Sequence, residues 1–222
     1  METISALWEE LSHYSITEII AVAASLSYVV LAAKENRYCW PAGLVGSALY
    51  AVIFWQHKLL MDSALNIYYV AMAIYGWSIW SGGKARNKVS NKTPTRTIST
   101  WKISTHCFSL AAIATLSLAS GYWLDRYSEA DFPYLDSLTT WSSLLATWMV
   151  ARKILENWIY WIAIDALSIY LYLNKALLFT SALFLLYVVI AVFGFLHWRR
   201  VYQQQKIQQQ NAQQQNIGPT AA

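Results

Sequence analysis

The residue with the clearest chemistry is Asp165, a carboxylate deep inside a long apolar segment. An ionisable side chain is expensive to place in a membrane, so it is a candidate for a functional site by default. At 100° of rotation per residue, Trp158, Trp161 and Tyr172 fall within roughly 60° of Asp165 on one helix face. Ring faces attract cations by about 2 kcal/mol or more where water is excluded. The stripe therefore predicts a binding site for a flat organic cation.

Two other apolar segments carry similar stripes of polar and aromatic residues. One comprises Asn36, Trp40, Gly43, Ser47 and Tyr50, and the other comprises Asp62, Asn66, Tyr69 and Trp80. If the three stripes face inward, they form an aromatic box around one negative charge. The predicted substrate-binding residues are Trp158, Trp161, Asp165, Tyr172, Asn66, Tyr69, Trp40, Asn36, Ser47 and Tyr50. Trp and Tyr also anchor helices at membrane interfaces, so an anchoring role stays open for some of these rings.

The composition of the chain excludes an ordinary soluble domain. Of its 222 residues, 57% are apolar and 13% are charged, which is about half the usual charged fraction of a soluble protein. Long apolar runs predict spans near residues 17–33, 38–56, 60–80, 103–124, 132–151, 154–173 and 176–198. Irregular backbone cannot face hydrocarbon with unpaired polar groups, so each run is predicted to be a helix. We therefore predict an all-α membrane protein with seven transmembrane helices.

The basic residues indicate how the chain is oriented. If the amino terminus lies outside, only three of the sixteen Lys and Arg residues fall in outer loops, namely Lys58, Arg126 and Lys175. Cytoplasmic loops of membrane proteins carry an excess of Lys and Arg. We therefore expect the amino terminus outside and the carboxyl terminus in the cytoplasm.

The second and third segments match the sixth and seventh. At an offset of 121, the matched residues are Asn36, Trp40 and Ser47 with Asn157, Trp161 and Ser168. After a three-residue deletion, the third and seventh segments match at Ser63, Tyr69, Gly76 and Trp80 with Ser181, Tyr187, Gly194 and Trp198. This pattern predicts a parallel 3+1+3 repeat. Parallel repeats are typical of transporters that hold substrate between their halves, although a duplication that only stabilises a bundle is the alternative.

These features divide the chain into five parts. We expect an extracytoplasmic segment at 1–16, a first three-helix unit at 17–80, and a basic cytoplasmic loop with a linker helix at 81–124. An outer loop and the second three-helix unit occupy 125–198. A glutamine-rich tail at 199–222 is predicted to be disordered because it has almost nothing to bury. The sequence contains no hydrolase or nucleotide-binding motif and no metal-ligand spacing, so we expect no enzyme, no cofactor and no metal.

Three segments resemble the PnuC family of vitamin transporters: WPAGLVGSALY, LNIYYVAMAIYGW and ENWIYWIAIDALSIYLYLNKALLFTSALF. The last is the most specific, because an Asn, two Trp three residues apart and a downstream polar position occur together. The resemblance implies seven helices arranged as in the SWEET sugar transporters. It also implies facilitated diffusion of a B-vitamin precursor across a bacterial inner membrane, made one-way by a cytoplasmic vitamin kinase. By the same resemblance, Trp158, Trp161, Asp165 and Asn66 line the substrate site.

Two positions depart from the pattern of that family. Nicotinamide riboside carriers tend to have Asn at the position of Asp165 and Gln at that of Asn66, whereas thiamine carriers are closer at the first position. Both vitamins are cations and suit a carboxylate, while neutral riboflavin suits it less well. The hypothesis is facilitative transport of nicotinamide riboside or thiamine by alternating access. A proton-coupled transporter and a membrane interaction protein without transport activity are the alternatives, and a homo-oligomer stays open.

Overall fold

The computed structural model describes residues 15–56, 60–81, 97–128, 132–174 and 178–217. They form seven helices: α1 (Ile16–Ala33), α2 (Cys39–Gln56), α3 (Leu60–Ser81), α4 (Ile103–Tyr127), α5 (Pro133–Ala151), α6 (Asn157–Asn174) and α7 (Leu178–Ile217). The predicted all-α fold with seven helices is confirmed. Most of the predicted amino-terminal segment and of the basic loop lies outside the described residues, as do Lys58 and Lys175.

The helix lengths suit a bilayer. An 18-residue helix rises about 27 Å, close to the thickness of a hydrocarbon core. By length and composition alone, α1, α4 and the stretch Thr180–Gln214 of α7 could cross a membrane. Helices α3, α5 and α6 carry a larger share of Trp, Tyr, Asn and Ser, and these residues lower hydropathy. Their polar side chains therefore need protein neighbours, which the packing of the helices supplies.

Six of the helices contact one another in a closed circuit. In order, α1 contacts α2, α2 contacts α3, α3 contacts α5, α5 contacts α6, α6 contacts α7, and α7 returns to α1. We call this circuit the ring. Helix α4 packs mainly against α5. Both predicted three-helix units therefore contribute to one shared interior.

Helices α1 and α5 end in the same way. Glu35 and Lys153, each two residues past the last helical residue, have φ angles of 56° and 53°. In both loops the following backbone N–H donates to the carbonyl oxygen five residues earlier, at 2.9 Å. This is the Schellman pattern, in which the left-handed residue is usually Gly. The two left-handed residues are 118 positions apart, so the helix ends are equivalent at that offset.

The same offset relates the helices that follow, and it corrects the predicted alignment. A β-carbon added at Gly76 would lie 2.3 Å from Cε2 of Trp40, and one added at Gly194 would lie 2.8 Å from Cε2 of Trp158. Trp40 therefore corresponds to Trp158 rather than to Trp161, and the predicted offset of 121 is wrong. Trp161 lies one turn from Trp158, so the sequence alone allowed either residue to be aligned with Trp40. The equivalent contacts agree with a repeated three-helix unit.

Four tryptophans form the centre of the buried core at the end of the ring where α1 and α5 finish. We call this group the four-tryptophan core: Trp40, Trp80, Trp158 and Trp198. Trp80 donates its indole N–H to the carbonyl oxygen of Ala151 at 3.1 Å. Trp198 donates in the same way to Ala32, also at 3.1 Å. Each bond joins one predicted unit to the other, so this end of the ring is tightly closed.

The carboxyl-terminal part of the chain differs from the prediction. Helix α7 continues to Ile217, so the predicted disorder is wrong for residues 199–217, while residues 218–222 lie outside the described ranges. Gln and Ala favour helix, and no Gly or Pro interrupts the extension before Gly218. The extension also makes contacts: Gln205 accepts a hydrogen bond from the backbone N–H of Ile98 at 3.1 Å.

Candidate functional site

Asp165 is buried on α6, with 4% of its surface exposed. Its carboxyl group interacts electrostatically with two tyrosines, Tyr69 on α3 and Tyr187 on α7. These tyrosines are related by the 118-residue offset and therefore occupy equivalent positions in the two units. The carboxylate thus lies where helices of both halves of the ring approach each other.

Tyr69 is held in place by α5. Its hydroxyl group interacts with the side chains of Ser143 and Thr147. The neighbouring Tyr68 donates its hydroxyl to the carbonyl oxygen of Leu144 at 2.9 Å. Both contacts join α3 of the first unit to α5 of the second. Sequence reasoning did not place Ser143 or Thr147 in the site, although the polarity of the fifth apolar segment was a usable signal.

A series of aromatic rings connects Tyr172 to the neighbourhood of Asp165. Tyr172 stacks on Phe184, with ring centroids 5.2 Å apart and planes 18° apart. Phe184 meets Tyr187 edge-on at 5.8 Å. Tyr50, on α2, lies within electrostatic range of Tyr187. Phe184 and Tyr187 were not predicted to belong to the site. Their rings link the predicted site residues Tyr50 and Tyr172 to Asp165.

Trp158 and Trp40 belong to the four-tryptophan core, with exposures of 2% and 1%. Each ring packs against a glycine of the adjacent helix. Their indole nitrogens are buried without a hydrogen-bond partner within the described ranges. Trp161 packs against the same core. On α6, Trp161 and Trp158 lie one and two turns nearer the start of the helix than Asp165.

The other predicted site residues occupy different environments. Asn36 is exposed in the α1–α2 loop, where its side-chain oxygen accepts a backbone N–H two residues later at 3.0 Å. The structure therefore does not bring it to Asp165. Asn66 is buried, and its amide donates to a carbonyl oxygen one turn earlier in α3 at 2.9 Å. Ser47, half-buried on α2, is the counterpart of Asp165 at the 118-residue offset.

Tyr28 and Tyr187 are further candidates that sequence reasoning did not include. The match of Tyr187 to Tyr69 in the repeat was the available signal. Tyr28, on α1, has a buried hydroxyl without a partner among the described residues, and it lies within electrostatic range of Tyr68 and Tyr69. Nothing in the sequence marks Tyr28. Each helix of the ring thus contributes to this interior group: Tyr28, Tyr50, Tyr69, Ser143, Asp165 and Tyr187.

The arrangement suits binding rather than catalysis. A buried carboxylate near tyrosine rings can hold a cation through charge and ring-face attraction. Across the described parts of the chain, no three His, Cys, Asp or Glu residues are grouped to hold a metal ion.

Comparison with known proteins gives consistent matches over most of the chain. The Nicotinamide riboside transporter PnuC of Escherichia coli (strain K12) is 23% identical over 200 residues, covering 82% of this chain and 84% of its own. The Riboflavin/roseoflavin transporter RibM of Streptomyces davaonensis is 20% identical over 187 residues, covering 84% and 85%. The crystal structure of the Vitamin B3 transporter PnuC superposes with a TM-score of 0.69 at 20% identity, covering 91% of this chain and 88% of that one.

The structural match shows the fold, and it agrees with the seven-helix architecture described above. Residues 15–200 match a family model described as Nicotinamide mononucleotide transporter. That match extends from the cap of α1 to the point where α7 passes the four-tryptophan core, so it includes every helix of the ring. The chain therefore belongs to the nicotinamide mononucleotide transporter family, a family of membrane transporters for vitamins and not of enzymes.

Proposed function

We propose that this protein carries a cationic B-vitamin precursor, nicotinamide riboside or thiamine, across the bacterial inner membrane. The observation that supports the proposal most is the burial of Asp165 within range of Tyr69 and Tyr187. The carboxylate would bind the positive ring of the vitamin, and the tyrosines from the two units would flank it. The amino terminus is proposed to lie outside and the carboxyl terminus in the cytoplasm, from the distribution of Lys and Arg.

Electrostatics favour a charged substrate over a neutral one. At an effective dielectric constant of 20, two opposite charges 4 Å apart attract by about 4 kcal/mol. In the described parts of the chain, no Lys or Arg forms an ion pair with Asp165. A bound cation would therefore supply the countercharge that a buried carboxylate requires.

The distance along α6 also suits a substrate of this size. Asp165 and Trp158 are two turns apart, about 10 Å along the helix axis. This is comparable with the length of a pyridinium riboside or of thiamine. Trp161, half-buried one turn from Asp165, would cover the middle of the molecule, and Trp158 would close the far end of the site.

The relatives point to two substrates of different charge. PnuC of Escherichia coli is named for nicotinamide riboside and RibM for riboflavin and roseoflavin. Riboflavin is thus the second candidate. It gains nothing from a buried carboxylate because it is neutral, so we place the cationic vitamins first.

For the mechanism we propose alternating access without a coupling ion. The two three-helix units of the 3+1+3 repeat would rock about the bound vitamin and expose it to one side at a time. Net uptake would then depend on a cytoplasmic kinase that phosphorylates the vitamin and prevents its return. A gradient of protons or sodium ions that drives accumulation in vesicles would refute the downhill mechanism.

The test is uptake by vesicles that contain only this protein. We expect saturable uptake of radiolabelled nicotinamide riboside or thiamine, with each competing against the other. Asp165→Ala removes the carboxylate and should weaken binding of the cation at least tenfold, because tenfold corresponds to only about 1.4 kcal/mol. Asp125→Ala, at an exposed acid near the end of α4, is the matched control.

The alternatives give different results in the same assay. Saturable riboflavin uptake that is insensitive to Asp165→Ala would favour riboflavin as the substrate. Flux without saturation would indicate a channel, and no flux of any of the three vitamins would indicate a protein without transport activity.

A further inference from the structure

An ion pair joins the two units at the inner end of the ring, the end at which α1 and α5 finish. The ammonium nitrogen of Lys153 lies 2.6 Å from a carboxylate oxygen of Glu35, with side-chain exposures of 2% and 19%. The same ammonium lies 4.6 Å from the ring centroid of Trp80. Surface ion pairs contribute little, but this one is shielded from water and rests on an indole face.

The backbone positions of this pair are unusual. Glu35 and Lys153 are the two left-handed residues that end α1 and α5, where Gly is normally preferred because a side chain is strained there. The chain instead has opposite charges at both positions. Since these positions are equivalent in the two units, the bond lies where the units meet.

Backbone hydrogen bonds fix the loop that carries Lys153, and a buried cysteine lies behind the ion pair. The loop that carries Lys153 is held by the segment before α4, because Ser99 donates to the Lys153 carbonyl at 3.0 Å and accepts from Leu155 at 2.9 Å. Cys39, at the start of α2, is fully buried and lies within electrostatic range of Lys153. Separation of the two loops would therefore open the inner end and uncover Cys39.

We propose that the Glu35–Lys153 ion pair is the inner gate of this transporter. It closes the cytoplasmic side while the site at Asp165 is accessible from outside, and it separates when the vitamin is released into the cell. The proposal rests on the proposed function, since it assigns the residues that alternating access requires at this end. Asp165 lies further outward along α6, so substrate leaving inward must pass between the two units here.

The test uses Cys39 as a native reporter. Cys107→Ser leaves Cys39 as the single cysteine, since the chain has two. In this parent, Glu35→Gln with Lys153→Met removes both charges and leaves no unpaired buried charge. We expect a membrane-impermeant maleimide to label Cys39 roughly tenfold faster in inside-out vesicles of the double variant, because the closed state loses an interaction that favours it. Labelling in right-side-out vesicles should stay slow.

Lys34→Met is the matched control, because it removes a lysine charge from an exposed position in the same loop as Glu35; its labelling rate should equal that of the parent. Equal rates for parent and double variant would overturn the proposal. Faster labelling in vesicles of both orientations, or loss of the cooperative melting transition, would show a purely structural pair and would also overturn it. The assay needs no substrate, so a parent that fails to take up vitamins would refute the proposed function separately.

Discussion

Trp80 donates its indole N–H to the carbonyl oxygen of Ala151, 3.1 Å away in the other three-helix unit. A similar bond runs from Trp198 to Ala32, one residue before the counterpart of Ala151, so such a contact is made once in each direction. Both bonds lie in the four-tryptophan core, at the end where α1 and α5 finish. This end of the ring is therefore closed by one such hydrogen bond from each three-helix unit to the other.

Trp80→Phe should destabilise the protein by about 1–3 kcal/mol, because the Ala151 carbonyl is left buried without its donor. Thermal unfolding in detergent would measure the change. Trp55→Phe is the control, since that ring is 66% exposed near the end of α2 and should leave the melting temperature unchanged. Equal melting temperatures of Trp80→Phe and Trp55→Phe would show that the hydrogen bond from Trp80 to Ala151 contributes nothing to stability.

Gly76→Ala should cost about 1–3 kcal/mol through overpacking, because its new methyl group would lie 2.3 Å from the Trp40 ring. Gly194→Ala should cost less, since its closest approach to Trp158 is 2.8 Å. Denaturation curves of both variants test the order. Ser78→Ala, exposed on the same helix as Gly76, should be close to neutral, and a reversed order would contradict the tighter packing of Gly76.

Tyr69→Phe should weaken vitamin binding several-fold and lower stability by about 1 kcal/mol. The variant loses the hydroxyl that interacts with Ser143 and Thr147 but keeps the ring. Calorimetric titration with the transported vitamin and a melting curve measure the two effects. Tyr170→Phe, at a tyrosine 59% exposed on α6, should change neither, and unchanged binding by Tyr69→Phe would remove Tyr69 from the site.

Shortening the chain after Ile207 should leave stability and uptake unchanged, because Gln205, which holds Ile98, is retained. Shortening after Arg200 should speed hydrogen exchange at the backbone amide of Leu155, since its acceptor Ser99 loses the support of the α7 extension. Mass-spectrometric exchange on both truncations tests this. Equal protection of the Leu155 amide in the two truncated proteins would show that the α7 extension does not stabilise the segment before α4.

The fold and the burial of Asp165 could be predicted from the sequence because both follow from the exclusion of polar groups from lipid. The register of the repeat could not, since Trp158 and Trp161 compete as partners for Trp40. The ends of α1 and α5 settle the register in the structure. They carry Glu35 and Lys153 and not the glycines that normally mark such helix ends.

The Glu35–Lys153 ion pair could not be predicted from the sequence either, because no local rule pairs residues 118 positions apart. In the sequence, Lys153 is only one of the basic residues assigned to the cytoplasmic side. The helical extension of α7 was missed for a different reason. Low hydrophobicity indicates disorder, but a helix that already exists continues through glutamines at little cost.

Ser47 and Asp165 are counterparts at the 118-residue offset that relates the two three-helix units. The same position is therefore a neutral alcohol in the first unit and a carboxylic acid in the second. A cation bound at Asp165 would meet unequal partners in the two units, so one orientation of the cation would be favoured over the reverse. A carboxylate at position 47 as well would make the two units alike at this position but would add a second negative charge to the interior.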